Sequence, residues 1–409
     1  MPLFALSVFA AAAWYFMTPE DRARFLVVVR RGLRRLHALV LATCFVPDPL
    51  TETLRARTRL ILVVPAVAAI NVVLFAWTMV DAASVGYTEA LLASGANFAP
   101  RTGNGEWWRL VSATFLHTGL LSLLVNTGAL ISAGRVLERL VGPVTFGTVY
   151  VVAGVMGALA SLWISAVAVT AGASAAVFGV YGLLLACWMW GAFRRSTATV
   201  RLATVKTLAV PAAIFICYNV ATHDLEWSAE VAGVVTGFMS GLLLARSAAE
   251  QKPRLPRVAA AAVSAAVIVF VLSEPVRGLI DPRADIAAVL VMERRTAARY
   301  DGAVTRFKKG TVTSRDLATL IDRTIIPQVK VANLRINELG RVPVEHQEVV
   351  ADARDYLRLR EEAWQLRVQA LQKTSMPMLR DADKKEQRAL RAFNEFTTSA
   401  QRISVTAPQ

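Results

Sequence analysis

The chain has 409 residues, 55% of them hydrophobic, and a formal net charge of +15. Such an apolar fraction marks a membrane protein and excludes a large soluble enzyme. The basic charge would suggest nucleic acid in a soluble chain, but the Lys and Arg residues here stand beside hydrophobic runs as topology signals, and nucleic acid is not an expected partner. Cys44, Cys187 and Cys217 show no C-x-x-C spacing, and the four histidines are scattered. Neither a disulfide framework nor a metal site follows, and no cofactor is expected.

In chain order, the first 17 residues, MPLFALSVFAAAAWYFM, are apolar but short of the ~20 residues that a spanning helix needs. An interfacial helix, a short span and an uncleaved signal all remain open. Thr18-Pro19-Glu20-Asp21 then reads as a helix start, with a capping hydroxyl, an early proline and acids at the positive dipole end. The helix that follows carries Arg22, Arg24, Arg30, Arg31, Arg34 and Arg35 beside Phe25 and Leu26. It reads as a basic amphipathic segment on an anionic membrane face.

Seven apolar runs come next, near 60–80, 119–134, 143–167, 173–191, 207–222, 227–245 and 258–273. Lys and Arg number nine in 18–59, two in 135–142, four in 192–206 and four in 246–257, nineteen in all. The alternate segments 81–118, 168–172 and 223–226 hold two. The positive-inside rule puts the first set in the cytoplasm, so the part after the seventh run lies outside.

That tail, roughly 275–409, is charged and helical in period. Its punctuation is Gly310, the capping pattern Thr313-Ser314-Arg315-Asp316, Gly340, Pro343 and Pro377, and about four helices are implied. No Ser/His/Asp cluster or glycine-rich phosphate loop occurs in it. It reads either as an interaction module with a protein partner or as a solvated bundle. The expected organisation is therefore an apolar and basic N-terminal segment over 1–57 and a membrane core over 58–246. A linker and extra transmembrane helix over 247–274 and the helical extracytoplasmic tail over 275–409 complete it. The expected fold class is all-α, a polytopic membrane helical bundle.

Chemistry is suggested at Gly172 to Gly182, GASAAVFGVYG, which sets Ser174 among small residues at the mouth of an apolar helix. Small residues also let membrane helices pack closely, and that plain reading stands beside a nucleophile approached by a substrate backbone. The loop before the second run ends GEWWRLVSATFLHTG, where Trp107-Trp108-Arg109 has the makeup of an interface anchor. Asn126 sits inside the second run, as helix-to-helix glue or aimed at something reacting. In the sixth run Glu230 precedes Gly233 by three residues and Gly237 by seven, which sets all three on one helical face. Gly233, Gly237 and Gly241 permit close contact with the helix holding Gly179 and Gly182. Ser174 and Glu230 are then expected to approach each other near their extracytoplasmic ends and, if the serine is poised for chemistry, to lie within hydrogen-bond reach, ~2.6–3.2 Å, or one water apart.

Over roughly 58–246 the chain resembles the rhomboid intramembrane serine proteases. The resemblance rests on an ordered set: Asn71, G-E-W-W-R with Trp108 and Arg109, F-L-H-T-G through His117, Asn126, and G-R-V-L-E-R-L-V-G over Gly134 to Gly142. Phe146, Tyr150, Gly172 with Ser174, and Gly233 with Gly237 complete it. It implies a rhomboid-like six-helix core, here with a C-terminal seventh span, and hydrolysis of peptide bonds in or near substrate transmembrane helices. The implied partners are a transmembrane protein substrate or client and the lipid bilayer, in a bacterial inner membrane. By the same resemblance Ser174 takes the nucleophile's position, Asn126 the oxyanion amide's, and His117 a structural one.

Three positions depart from the family pattern. The family's histidine in A-H-x-x-G-x-x-x-G is Glu230 here, and a second histidine four residues before the oxyanion asparagine is Ser122. Ala175 replaces the glycine after the nucleophile, adding a methyl beside the oxyanion position. A carboxylate is a poor base at its ordinary pKa near ~4.3 and a useful one only where burial raises it. His223, seven residues before Glu230, could supply an imidazole or be a solvated loop residue. Two functions follow: a serine-type endopeptidase with a substituted base, or an inactive rhomboid pseudoprotease that binds transmembrane clients.

Overall fold

The computed structural model of the protein describes residues 34, 54–55, 58, 60–194, 202–222, 227–244 and 253–406. Most of the N-terminal segment expected over 1–57 lies outside the described residues, as does His223. The described chain is helical, with two isolated β-bridges and no strand.

Seven apolar helices correspond to the seven runs: α1 (Val63–Val85), α2 (Leu120–Val141), α3 (Pro143–Ile164), α4 (Ser174–Arg194), α5 (Leu202–Thr222), α6 (Ser228–Leu244) and α7 (Leu255–Leu272). Four of these segments are long and apolar enough to cross a bilayer, Val63–Val85, Leu120–Val141, Pro143–Ile164 and Leu255–Val276. The tail forms α8 (Arg283–Lys308), α9 (Ser314–Leu320), α10 (Ile326–Asn337), α11 (Val344–Gln372) and α12 (Met376–Thr406). The chain divides into two compact units. The first takes in residues up to Ser94, Ala113–Ala160 and Ala171–Val269; the second takes in Gly95–Ser112, Ser161–Thr170 and Phe270–Gln409.

In the first unit, α1 starts without a capping side chain of its own. The first N–H groups of a helix have no intrahelical acceptor, and here Leu62 and Val63 donate to Glu138 Oε1 at 2.6 and 2.9 Å and Val64 donates to Oε2 at 2.9 Å. Glu138, on α2, thus caps α1 from across the bundle. Gly142 ends α2 with φ +89°, a conformation glycine adopts without strain, and Pro143 begins α3 directly after it. The core gathers Leu130 and Leu137 from α2, Phe146 and Tyr150 from α3, Val177, Val180 and Leu183 from α4, and Phe215 from α5. In a bilayer such contacts stabilise through van der Waals packing, since lipid tails are as apolar as leucine. On α7, Val263 and Val267 are exposed and only Val258 is buried, as for a helix facing lipid.

The second unit joins three separate chain segments. Asn97 and Thr170 exchange backbone hydrogen bonds at 2.8 and 2.9 Å, and Asn104 Nδ2 donates to the Leu279 carbonyl at 2.9 Å. A Cβ on Gly103 would stand 2.1 Å from the Val276 carbonyl, so only glycine permits that approach. The Val167 N–H donates to Glu345 at 3.3 Å, and Arg277 lies over the Trp107 ring at 5.7 Å.

Within the tail the punctuation acts locally. Gly310 has φ +74° just past α8, Thr313 and Asp316 form a reciprocal capping box at α9, and Pro343 precedes α11. A π-turn over Ile321–Ile325 joins α9 to α10 ahead of Pro327, whose ring supplies no N–H to a regular ladder. Trp364, Tyr356 and Phe396 are fully buried. A charged network links three helices: Arg360 Nη2 meets Glu293 Oε1 at 2.7 Å, Arg360 Nη1 meets Glu386 at 3.0 Å, and Arg367 meets Glu386 at 2.7 Å. Tyr356 donates to the same Glu293 carboxylate.

Candidate active site at the head of helix α4

Ser174 is the first residue of α4 and is buried at 8% exposure. The stretch before it is held by the Gly172 N–H, which donates to the Ala113 carbonyl at 3.0 Å. Ser174 Oγ donates to Glu230 Oε1 at 3.1 Å, a buried contact between α4 and the first turn of α6.

Backbone contact between α4 and α6 brings these two side chains together. A Cβ on Gly233 would lie 2.1 Å from the Ala175 carbonyl oxygen, and one on Gly237 would lie 1.9 Å from that of Gly179. A Cβ on Gly241 would lie 2.5 Å from Ala186 Cβ. Any side chain at the first two positions would push α6 away from α4 and carry Glu230 with it. The helix period sets Glu230, Gly233 and Gly237 on one face, and the glycines set how near that face comes.

The Ala175 methyl is turned toward α3, where a Cβ on Gly157 would stand 2.3 Å from it. The methyl that the sequence sets after the nucleophile thus also packs at the Gly157 notch. The Ala229 carbonyl borders the same notch, 2.8 Å from a Cβ at Gly157. Gly157 and the Ala113 carbonyl are the site contacts that sequence reasoning missed. The paired small residues Gly154 and Gly157 in α3 were the signal available for the first.

Asn126 is buried in α2, with Nδ2 donating to the Ser122 carbonyl at 2.8 Å and to Ser122 Oγ at 3.3 Å. Its amide therefore bonds within its own helix, and Oδ1 has no partner among the described residues. His117 is buried, and its carbonyl accepts from Tyr87 Oη at 3.0 Å. Burial pushes its imidazole down to about 4, with the Phe115 backbone opposing. Asn71 is buried on α1.

Trp108 and Arg109 belong to the second unit. Arg109 is buried, pairs with Glu106 through Nε and donates from Nη1 to the Ala96 carbonyl at 3.0 Å. Its guanidinium lies 4.8 Å from the centre of the Trp108 ring, and Trp108 is exposed. Ser174, Glu230, Gly172, Gly233 and Gly237 are thus assembled around one contact, and Asn126 and Ser122 form a pair on α2. Among the described residues no group of three His, Cys, Asp or Glu side chains is arranged to hold a metal.

The family model of the Rhomboid domain matches residues 104–247. Rhomboid protease GluP of Bacillus subtilis is 33% identical over 177 residues, which are 43% of this chain and 33% of that protein. Putative rhomboid protease YdcA, also of Bacillus subtilis, is 33% identical over 136 residues, 33% of this chain and 67% of that protein. Inactive RHOMBOID-like protein 8 of Arabidopsis thaliana is 33% identical over 91 residues, 22% of this chain and 26% of that protein. The match thus spans a third of GluP and two thirds of YdcA. With two thirds of YdcA covered at 33% identity, the domain match running across the helices that hold Ser174 and Glu230, and seven apolar helices among the described residues, this multi-pass membrane protein belongs to the rhomboid family.

Proposed function

We propose that this chain is a rhomboid intramembrane serine endopeptidase that works through a Ser174–Glu230 pair. The observation carrying the reading is the 3.1 Å hydrogen bond from Ser174 Oγ to Glu230 Oε1. Oγ attacks the scissile carbonyl carbon while its proton passes to Glu230 Oε1. The oxyanion that forms faces the head of α4, where the first backbone N–H groups of a helix lack intrahelical partners and the dipole favours negative charge. Asn126 adds its amide once it turns away from Ser122. When the C–N bond breaks, Glu230 returns the proton to the leaving amine. Water then attacks the acyl carbon, giving one proton to Glu230; as the acyl–Oγ bond breaks, Glu230 passes that proton back to Ser174 Oγ, which releases the carboxylic acid product and restores the pair.

The substrate is a transmembrane protein cut in or near its membrane helix, and the enzyme sits in a bacterial inner membrane with the tail outside, offered to a protein partner. A second reading has its own support. Ser174 gives its hydrogen to a buried carboxylate and Asn126 gives its amide hydrogens to Ser122, a self-satisfied arrangement suited to a pseudoprotease that holds clients without cutting them. One relative in this family is named inactive.

Cleavage of a generic transmembrane substrate by the purified full chain separates the two. Loss of cleavage in both Ser174→Ala and Glu230→Gln is the expected result. A silent wild type whose Glu230→His variant cleaves would instead establish the pseudoprotease.

A further inference from the structure

Arg139 occupies the last turn of α2 at 8% exposure. Its Nε and Nη1 are buried and have no hydrogen-bond partner among the described residues. Leaving a buried donor unsatisfied costs about 1–3 kcal/mol, and more when the group is charged, so a guanidinium in this state calls for an acceptor. The Glu138 carboxylate next to it adds a favourable charge, but the hydrogen bonds it makes run to the Leu62, Val63 and Val64 backbone and not to these two donors. The negative end of the α2 dipole favours the charge but offers these two donors no oxygen.

The surroundings are cationic. Arg135 lies one turn earlier on α2, and the charges of Arg135 and Arg55 both bear on Arg139. Arg55 is exposed and directly follows Leu54, which is buried in the core of the first unit. Among the described residues, two further guanidinium groups and one carboxylate, Glu138, act on Arg139, and that carboxylate is bonded to backbone. Like charges gathered in this way destabilise the fold unless an anion lies among them.

We propose that Arg139, Arg135 and Arg55 form a binding site for a phosphate group at the end of α2 that the arginine count assigns to the cytoplasm. The planar fork of a guanidinium matches two phosphate oxygens, a pairing that a monoatomic anion cannot make. Phosphates are densest at the membrane surface, and basic recesses between membrane helices on that side take lipid headgroups. The phosphate comes from an anionic phospholipid or from a free phosphate in solution, and the two arms of the test tell these apart. The inference does not depend on whether Ser174 cuts a substrate.

The full chain in nonionic detergent is mixed with phosphatidylglycerol or phosphatidylcholine, and retained lipid is counted by native mass spectrometry. Phosphatidylglycerol is expected to bind about tenfold tighter than phosphatidylcholine, with the preference lost in Arg139→Gln and weakened in Arg139→Lys, which keeps the charge without the fork. Arg135→Gln and Arg55→Gln, at less buried positions, weaken it several-fold and keep the test readable if the Arg139 variants do not fold. In the second arm, inorganic phosphate is compared with chloride at equal ionic strength. A Tm raised by phosphate in wild type but not in Arg135→Gln, with both lipids retained equally, supports the site with free phosphate as its ligand. Equal retention of the two lipids together with no effect of phosphate overturns the proposal, as does a lipid preference undiminished in all the Gln variants that fold.

Discussion

Ser174 Oγ lies 3.1 Å from Glu230 Oε1 because Gly237 lets α6 lie against the carbonyl of Gly179. Side-chain chemistry at the head of α4 is therefore set by backbone contact several residues deeper in the bundle. A carboxylate used in this way has less reach to spare than a longer or planar base, and shortening it tests its role directly. Glu230→Asp withdraws the carboxylate by one methylene, and a displacement of about 1 Å costs ~100-fold in rate. The expected result is a fall in kcat of that order with KM little changed, measured on a transmembrane substrate in detergent. An Asp variant as fast as wild type would remove Glu230 from the proton transfer.

The notch between α3 and α4 predicts a coupling. Gly157→Ala would set its methyl 2.3 Å from Ala175 Cβ and 2.8 Å from the Ala229 carbonyl. Overpacking of this kind destabilises by about 1–3 kcal/mol. Ala175→Gly removes the nearer clash and leaves the second, so the double variant should recover part of the lost Tm, with a coupling energy of about 1 kcal/mol. Strict additivity would show that the two residues do not touch.

His117 predicts the acid limit of the fold. Its folded pKa of about 4 lies below the ordinary 6.5, so between those values the unfolded chain binds the proton that the folded chain refuses. Stability therefore rises with pH across that window, and up to about 3 kcal/mol is lost as pH falls from 6.5 to 4. His117→Gln should flatten this part of the Tm profile. An unchanged slope would mean that His117 is protonated in the folded protein.

Buried and exposed charges of the tail should differ sharply. Glu293→Gln leaves Arg360 buried, 2.7 Å from a neutral amide position, and is expected to cost about 3 kcal/mol. Arg358→Ala removes two ion pairs to Asp355 and Glu362 that stand more than a third exposed, with an expected cost within about 0.5 kcal/mol. Hydrogen exchange of α11 in the full chain reads both. Equal loss of protection in the two variants would contradict the structural role of the buried network.

The sequence by itself determined the features that depend on neighbours within a few residues. The seven apolar runs, the capping box at Thr313 and Asp316, the stop at Gly310 and the shared face of Glu230, Gly233 and Gly237 all follow from helix period and capping, which act over one or two turns. Only the tertiary structure decided which distant backbone each face meets. Glu138 caps a helix start 76 residues earlier, and the Ala175 methyl seats at Gly157. Arg109 finds the Ala96 carbonyl, and the tail shares one unit with residues 95–112 and 161–170. The physical reason is that a donor's choice of acceptor depends on how closely two backbones approach. That distance is fixed by packing among helices far apart in the chain, which no local pattern records.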